Sequence, residues 1–512
     1  MKLLDCTIRD GGYYTNWDFD KEIVETYCKS MESLPIDYVE VGYRSIPLKG
    51  YLGEYFYCPD FVLKELKQMM PSKKLVIILD EKNIRDFHVP ELLKPCLNLI
   101  SMVRIAVNPT NFNRAIDLAK AVKAMGFEVA FNVMYMSEWK ENNSFLDLLN
   151  GLDNTIDYFY MVDSFGGIFQ EELKEIIKLV KSKTNVKLGF HGHNNLEMAL
   201  GNTITALNEG CEIVDATITG MGRGAGNLRT ELLMTYLNKK GDINISFDDL
   251  SATVTLFEEM KKNYGWGTNL PYIFSGAYSL PQKEVMEWIG MNRYPIASIL
   301  NALNNKKNSL EDNLNLPNLE IDEMSEKVLI VGGGNSVKEN AKALRVFLKQ
   351  NKSIKIIHTG LNYISTFSKV TNDQFYALVG FEGVKLLESL QDLDISNKKF
   401  VYPPHPRKMG TLIPKETLSS SFELSNINFT KFSADSPLAI AIQLALNLNA
   451  YNIYFIGFDG YDTKINKNQF KLVQENQNVF FDLLKVENVQ VETLTPSKYE
   501  NLINTSIYSL LK

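Results

Sequence analysis

No apolar stretch in this 512-residue chain approaches the ~20 residues that a membrane-spanning helix needs, so no membrane span is expected. The opening run Met1-Lys2-Leu3-Leu4-Asp5 leads straight into a β-type segment. It shows no charged n-region, apolar h-region or small-residue cleavage site, so no secretory leader is expected either. Cysteine is scarce: Cys6, Cys28, Cys58, Cys96 and Cys211 are odd in number, scattered and without a Cys-x-x-Cys pair. That speaks against a disulfide framework and for reduced thiols in a cytoplasmic protein. The net charge of -7 comes without any dense lysine/arginine stripe, which argues against nucleic acid as a partner.

What is present is a soluble globular composition, 45% apolar and 22% charged, long enough for two or three domains. Short β-rich runs alternate with amphipathic segments over the first half. The strand candidates are Leu3 to Ile8, Tyr38 to Gly42, Lys74 to Leu79, Met102 to Val107, Glu128 to Met134, Tyr158 to Val162, Val186 to Phe190 and Ile213 to Ile218. Helical patterns lie between them, such as Lys21 to Ser30, Asn113 to Met125, Gln170 to Ser182 and Leu196 to Glu209. Eight strands separated by helices fit an α/β fold of the (β/α)8 TIM-barrel type, with a doubly wound open sheet as the other arrangement of the same alternation. The chain is divided accordingly: residues 1–245 form the barrel, 246–304 a helical appendage, 305–326 a polar linker and 327–512 a second, Rossmann-like α/β domain.

His191-Gly192-His193 follows the seventh β-run, and residues two apart on a strand project to one side. Two imidazoles can therefore meet at one ion, with Asp10 at the end of the first β-run as the natural third ligand of a divalent metal. Arg9, Asp10, Glu40, Arg104, Asn132, Asp163, His191, His193 and Asp215 all fall in or just past the C-terminal half of an expected strand, the face where a barrel carries its active site. Glu40, Arg104, Asn132 and Asp163 are read as substrate-binding, with Ser164 beside them. After the eighth strand, Gly220-Met221-Gly222-Arg223-Gly224-Ala225-Gly226-Asn227 reads as a flexible substrate-covering loop, to which Gly222 and Gly224 contribute. Asn227 there either caps the next helix or joins the metal.

The second domain opens with Lys327-Val328-Leu329-Ile330-Val331 and the turn Gly332-Gly333-Gly334-Asn335-Ser336, followed by a helical pattern from Val337 to Lys349. Strand, glycine turn and helix suit a phosphate at a helix N-terminus. The pattern is not a clean G-x-G-x-x-G, which favours a mononucleotide or nucleotide sugar over a dinucleotide. Ala434-Asp435-Ser436-Pro437 opens a later helix, and a late strand ends on Asp459, which joins the glycine turn as a nucleotide-site residue.

Four stretches, Asp5-Cys6-Thr7-Ile8-Arg9-Asp10-Gly11, Asp163-Ser164-Phe165-Gly166-Gly167, His191-Gly192-His193-Asn194-Asn195 and Asp215-Ala216-Thr217 through Gly226-Asn227, make residues 1–235 resemble the DRE-TIM metallolyases. That HMG-CoA lyase-like family includes 4-hydroxy-2-oxovalerate aldolase and the isopropylmalate synthases. The resemblance implies Asp10, His191 and His193 as ligands of Mn2+, Mg2+, Co2+ or Zn2+, with Asn227 as a fourth. It also implies that Arg9 stabilises an enolate, and that the reaction joins or splits a pyruvate-type 2-oxo acid and an aldehyde. Shortly beyond the carboxylate ligand, where those aldolases carry an acid/base histidine, this chain has Tyr13, so Tyr13 or Tyr14 takes the proton-transfer role. Two other readings stay open: a Claisen condensation of an acyl-CoA with a 2-oxo acid, and a non-catalytic scaffold. The second domain resembles, over its short stretches only, nucleotide-binding domains of sialyltransferase-like and flagellin-glycosylation proteins, which implies a surface-polysaccharide or glycan context. A homo-oligomer is also expected.

Overall fold

The computed structural model describes the whole chain except residues 311–313, 322, 391–393, 397, 408, 410–411, 432–434, 462–466 and 512. Parts of the expected linker and Ala434 therefore lie outside the described residues. Two compact units divide between Met286 and Glu287. The boundary falls inside the segment read as a helical appendage: Phe247–Tyr264 and Leu270–Ala277 belong to the first unit and Ile296–Lys307 to the second.

The first unit is a closed parallel barrel of eight strands in sequence order. They are β1 (Lys2–Asp5), β2 (Tyr38–Tyr43), β3 (Lys74–Asp80), β4 (Met102–Val107), β5 (Glu128–Val133), β6 (Tyr158–Asp163), β7 (Lys187–Gly192) and β8 (Ile213–Ala216). Helices cover the outside, so the strands are apolar on both faces, as in the Leu-Val-Ile-Ile-Leu run of β3. The ring closes where Leu4 of β1 pairs with Asp215 of β8. Leu4, Tyr38, Val76, Met102, Ala130, Tyr158, Tyr160 and Ile213, with Cys6, form a core of their own from seven of the strands. Gly189 makes room for it: a Cβ there would stand 2.7 Å from the Tyr160 ring.

One expectation fails at the first strand. The β-branched pair Thr7-Ile8 suggests a strand to Ile8, but β1 stops at Asp5 and Thr7–Thr15 is a helix, α1. Asp5 stops it: its Oδ1 accepts the Thr7 N–H at 2.9 Å, and the Asp10 N–H donates to the Cys6 carbonyl at 2.9 Å. Asp5 is itself held by the distant hydroxyls of Tyr27 and Thr230, and these tertiary bonds outweigh the local β preference. Arg9 and Asp10 are thus carried on a helix, not on a strand end.

The second unit is an eight-stranded, all-parallel sheet. Its strands are β9 (Lys327–Val331), β10 (Lys355–His358), β11 (Gln374–Ala377), β12 (Lys398–Tyr402), β13 (Ser421–Glu423), β14 (Asn452–Ile456), β15 (Gln490–Thr493) and β16 (Ile503–Asn504). The order β13-β12-β11-β10-β9-β14-β15-β16 makes it a Rossmann-like α/β domain. The chain leaves β9 toward one edge and returns at β14 on the other side, so the loops after β9 and β14 flank the point where the winding reverses. No described helix is long and apolar enough to cross a membrane.

Candidate metal centre and catalytic site

Asp5 anchors the entrance. Wholly buried, it accepts from the Tyr27 hydroxyl at 2.6 Å and the Thr230 hydroxyl at 2.7 Å as well as from Thr7. Thr7 Oγ1 in turn accepts the Ile218 N–H at 2.8 Å. These bonds fix α1 against the loop after β8, and Asp10 Oδ2 then stands 3.8 Å from His191 Nε2.

The imidazoles are oriented from behind. His191 Nδ1 lies 2.8 Å from Asp215 Oδ2, and His193 Nδ1 lies 2.7 Å from the backbone carbonyl of Asp163. Burial works against ionisation of Asp215, but Arg104 and His191 outweigh it and leave the carboxyl below its usual range. Both partners therefore accept, each Nδ1 carries the proton, and each Nε2 keeps its lone pair. The rings are 5.0 Å apart between centroids. Burial, with His191 alongside, pushes His193 down to about 3, so it is neutral and able to ligate. Asp10 is ionised for a different reason: burial would raise its pKa, but the Arg9 guanidinium in contact with it brings the net below the ordinary carboxylate value.

Asn227 completes the set. Its Nδ2 donates to Asp10 Oδ2 at 2.6 Å, while its buried Oδ1 has no hydrogen-bond partner. An orphaned amide oxygen, a carboxylate and two Nε2 lone pairs are the donors a divalent cation takes, so these residues fit a metal. Cys6, His191 and Asp215 also bring ligand atoms within 4.8 Å of one another. They suit a metal less well. Burial and nearby carboxylates push the Cys6 thiol well up, and Asp215 is already held by Arg104 at 2.6 Å and by His191.

Around this cluster, Arg9 Nε donates to Glu40 Oε2 at 2.7 Å. Arg104 reaches Glu40 Oε2 at 3.0 Å and Asn132 Oδ1 at 2.6 Å, so Glu40, Arg104 and Asn132, read from sequence as substrate residues, hold one another. The Asp163 carboxylate accepts from the backbone of Gly166, Gly167 and Ile168; burial nonetheless pushes it up to about 6. Ser164 Oγ accepts the Tyr135 N–H at 2.8 Å. Tyr13 Oη lies 3.1 Å from Tyr43 Oη, under the Arg223 guanidinium, whose Cζ is 4.2 Å from the Tyr13 ring centroid. Tyr14 donates to the Gly224 carbonyl.

The glycine loop is packed rather than loose. Gly220, Met221, Ala225 and Gly226 are buried, a Cβ on Gly222 would strike the Asn227 amide, and Gly224 has φ +63°. Met221 seals it from inside, against Gly11. Sequence reasoning missed Arg223 and Tyr43 at this site and the part played by Asp215. Asp215 carries the one readable signal, a carboxylate late in a buried strand.

In the second unit the phosphate reading of the glycine turn meets an obstacle. The Asp459 carboxylate accepts the Ser336 N–H at 3.0 Å and bonds the Ser336 hydroxyl, so an anion of the protein's own already sits at those amides. The expected long helix is broken at Asn340 into Ser336–Glu339 and Ala341–Gln350. A crevice of about 550 Å3, lined by Gly333, Gly334, Asn335 and Asp459 among others, opens at the ends of β9 and β14. Gly332 and Ser336 do not line it, and Ser336 is buried.

A family model described as HMGL-like matches residues 103–256. The chain is 25% identical over 269 residues to oxaloacetate decarboxylase of Mycobacterium tuberculosis, covering 51% of this chain and 78% of that protein. It is 29% identical over 245 residues to 4-hydroxy-2-oxovalerate aldolase of Carboxydothermus hydrogenoformans, covering 47% and 71%. The crystal structure of the N-terminal domain of a candidate aldolase from Bacteroides vulgatus is 54% identical, with a TM-score of 0.56, covering 59% of this chain and all of that one.

Proposed function

Because the barrel unit belongs to the DRE-TIM metallolyase family, with its HMGL-like stretch at 103–256, we propose that the chain is a metal-dependent carbon–carbon lyase acting on a pyruvate-type 2-oxo acid and an aldehyde. The observation that carries this is the pair of imidazoles whose Nδ1 atoms are both engaged from behind, leaving two Nε2 lone pairs beside Asp10 and the free Asn227 Oδ1. Asp10, His191, His193 and Asn227 would hold a divalent cation, which would supply Lewis acidity toward the keto acid. Arg9, fixed by Glu40 and Asp10, brings a permanent positive charge to the side where the enolate oxygen develops its own. Burial keeps the Tyr43 hydroxyl protonated and able to donate to Tyr13 Oη, which exchanges a proton with the aldehyde oxygen.

Incubation with pyruvate and Mn2+ in D2O tests the reading through loss of methyl protons. No exchange with pyruvate or longer 2-oxo acids overturns it.

Tyr13 favours a second reading. Decarboxylation of an oxaloacetate-type acid reaches the same enolate without any hydroxyl proton to remove, so it makes no demand on a strong base at that position. Release of CO2 from oxaloacetate faster than cleavage of any 4-hydroxy-2-oxo acid distinguishes the two.

For the second unit, the crevice between the ends of β9 and β14 is read as the seat of a nucleotide or nucleotide sugar. Asp459 at the Ser336 amide favours the sugar or base, not a phosphate, at that turn. Titration calorimetry with nucleotides tests it, and no heat at millimolar ligand removes it. A role in glycan or surface-polysaccharide synthesis rests on the resemblance of this unit alone.

A further inference from the structure

Arg104 is the most completely enclosed cation of the barrel: its side chain is 0% exposed, and it sits over the Tyr160 ring with Cζ 4.1 Å from the centroid. Its three arms point in three directions. Nε donates to Asn132 Oδ1 at 2.6 Å, Nη1 to Glu40 Oε2 at 3.0 Å and Nη2 to Asp215 Oδ2 at 2.6 Å. Each carboxylate then uses the same oxygen a second time. Glu40 Oε2 also accepts from Arg9, and Asp215 Oδ2 also accepts from His191 Nδ1. The other oxygens, Glu40 Oε1 and Asp215 Oδ1, are buried without partners. Beyond Arg9 on Glu40 and His191 on Asp215, the groups to be positioned, the only hydrogen-bond partner of either carboxylate among the described residues is Arg104, whose planar guanidinium spans both.

We infer that Arg104 is a positioning residue for the metal centre, acting on His191 through Asp215 and on Arg9 through Glu40. This rests on the proposed ligand set. The guanidinium fixes the rotation of Asp215, whose Oδ2 meets His191 Nδ1 at 2.8 Å, and Nε2 is thereby aimed at the cation. Outer partners of a metal-binding histidine change affinity by roughly 10–100-fold when altered. A lysine at 104 keeps the charge but cannot span three acceptors.

The test is Mn2+ binding to the full chain, followed by the EPR signal of free Mn2+, with circular dichroism to establish folding. Wild-type protein that binds no Mn2+ overturns the ligand assignment itself, whereas wild-type binding with an indifferent variant overturns only the inference about Arg104. The expected results are a Kd raised at least tenfold in Arg104→Lys, a similar rise in Asp215→Asn, and a double variant no weaker than the weaker single. Such non-additivity is the mark of one chain of action and not of general loosening. A folded Arg104→Lys within twofold of wild type, or effects that add, overturns the inference. Should Arg104→Lys not fold, Asn132→Ala frees only the Nε arm. A threefold or greater loss of Mn2+ affinity is then expected, and unchanged affinity is the refuting result.

Discussion

Asn227 donates its side-chain N–H to Asp10 Oδ2 at 2.6 Å, joining two residues 217 positions apart, one in the loop after β8 and the other on α1. The bond steadies the carboxylate and leaves Asn227 Oδ1 free for a cation. Asn227→Ala removes both contributions. Mn2+ affinity is expected to fall by about tenfold, measured by titration calorimetry. Chelation with EDTA is expected to abolish exchange of pyruvate protons, and readdition of Mn2+ to restore it.

His193→Ala is expected to eliminate methyl-proton exchange in D2O while leaving the circular dichroism spectrum of the barrel intact. On the proposed ligand set the ring offers one nitrogen to the cation, and its one hydrogen bond among the described residues is to the Asp163 carbonyl, little of which the fold requires. Exchange retained at wild-type rate in a folded variant refutes the ligand assignment.

Tyr13→Phe and Tyr14→Phe separate the two phenols. Tyr14 donates to the Gly224 carbonyl and is engaged structurally, whereas Tyr13 meets Tyr43 and Arg223. Steady-state kinetics on a 4-hydroxy-2-oxo acid are expected to show kcat lowered about 100-fold by Tyr13→Phe and by less than tenfold by Tyr14→Phe.

Asp5→Ala strips three donors, the Thr7 N–H and the hydroxyls of Tyr27 and Thr230, of their buried acceptor. The loss is expected to be roughly 3 kcal/mol, read from urea unfolding of the first unit. A change under 1 kcal/mol refutes the anchoring role assigned to Asp5.

His358 makes the second unit sensitive to acid. Buried under Tyr376, its ring is pushed down to about 3 from the 6.5 of an exposed imidazole. Below pH 6.5 the unfolded chain therefore takes up a proton that the folded one refuses, and stability falls as the pH drops toward 3. By about pH 5 the loss is about 2 kcal/mol. His358→Phe keeps the stack on Tyr376 and is expected to flatten the dependence of the urea midpoint on pH between 7 and 5.

The barrel is readable in the sequence because its strands are buried on both faces and so appear as mostly apolar runs, unbroken over five residues in β3 and β6. His191 and His193 are readable too, since a spacing of two needs no knowledge of the fold. Thr7-Ile8 misleads because its helix depends on Asp5, which is held by residues 22 and 225 positions away. Distance in the chain hides Asp215 from Arg104 in the same manner, 111 residues apart, so the pair emerges only when the ring closes. The glycine turn of the second unit looks like a phosphate cradle for want of one fact, that Asp459 folds back onto Ser336 from 123 residues on.

Closure of the ring has a bearing on assembly. Asp10 follows the first strand, the histidines lie at the seventh and Asn227 follows the eighth, so no half of the barrel owns the whole of the proposed ligand set. A partly wound intermediate has nothing with which to capture the ion tightly, and uptake of Mn2+ during refolding becomes a clock that strikes only when the last strand meets the first.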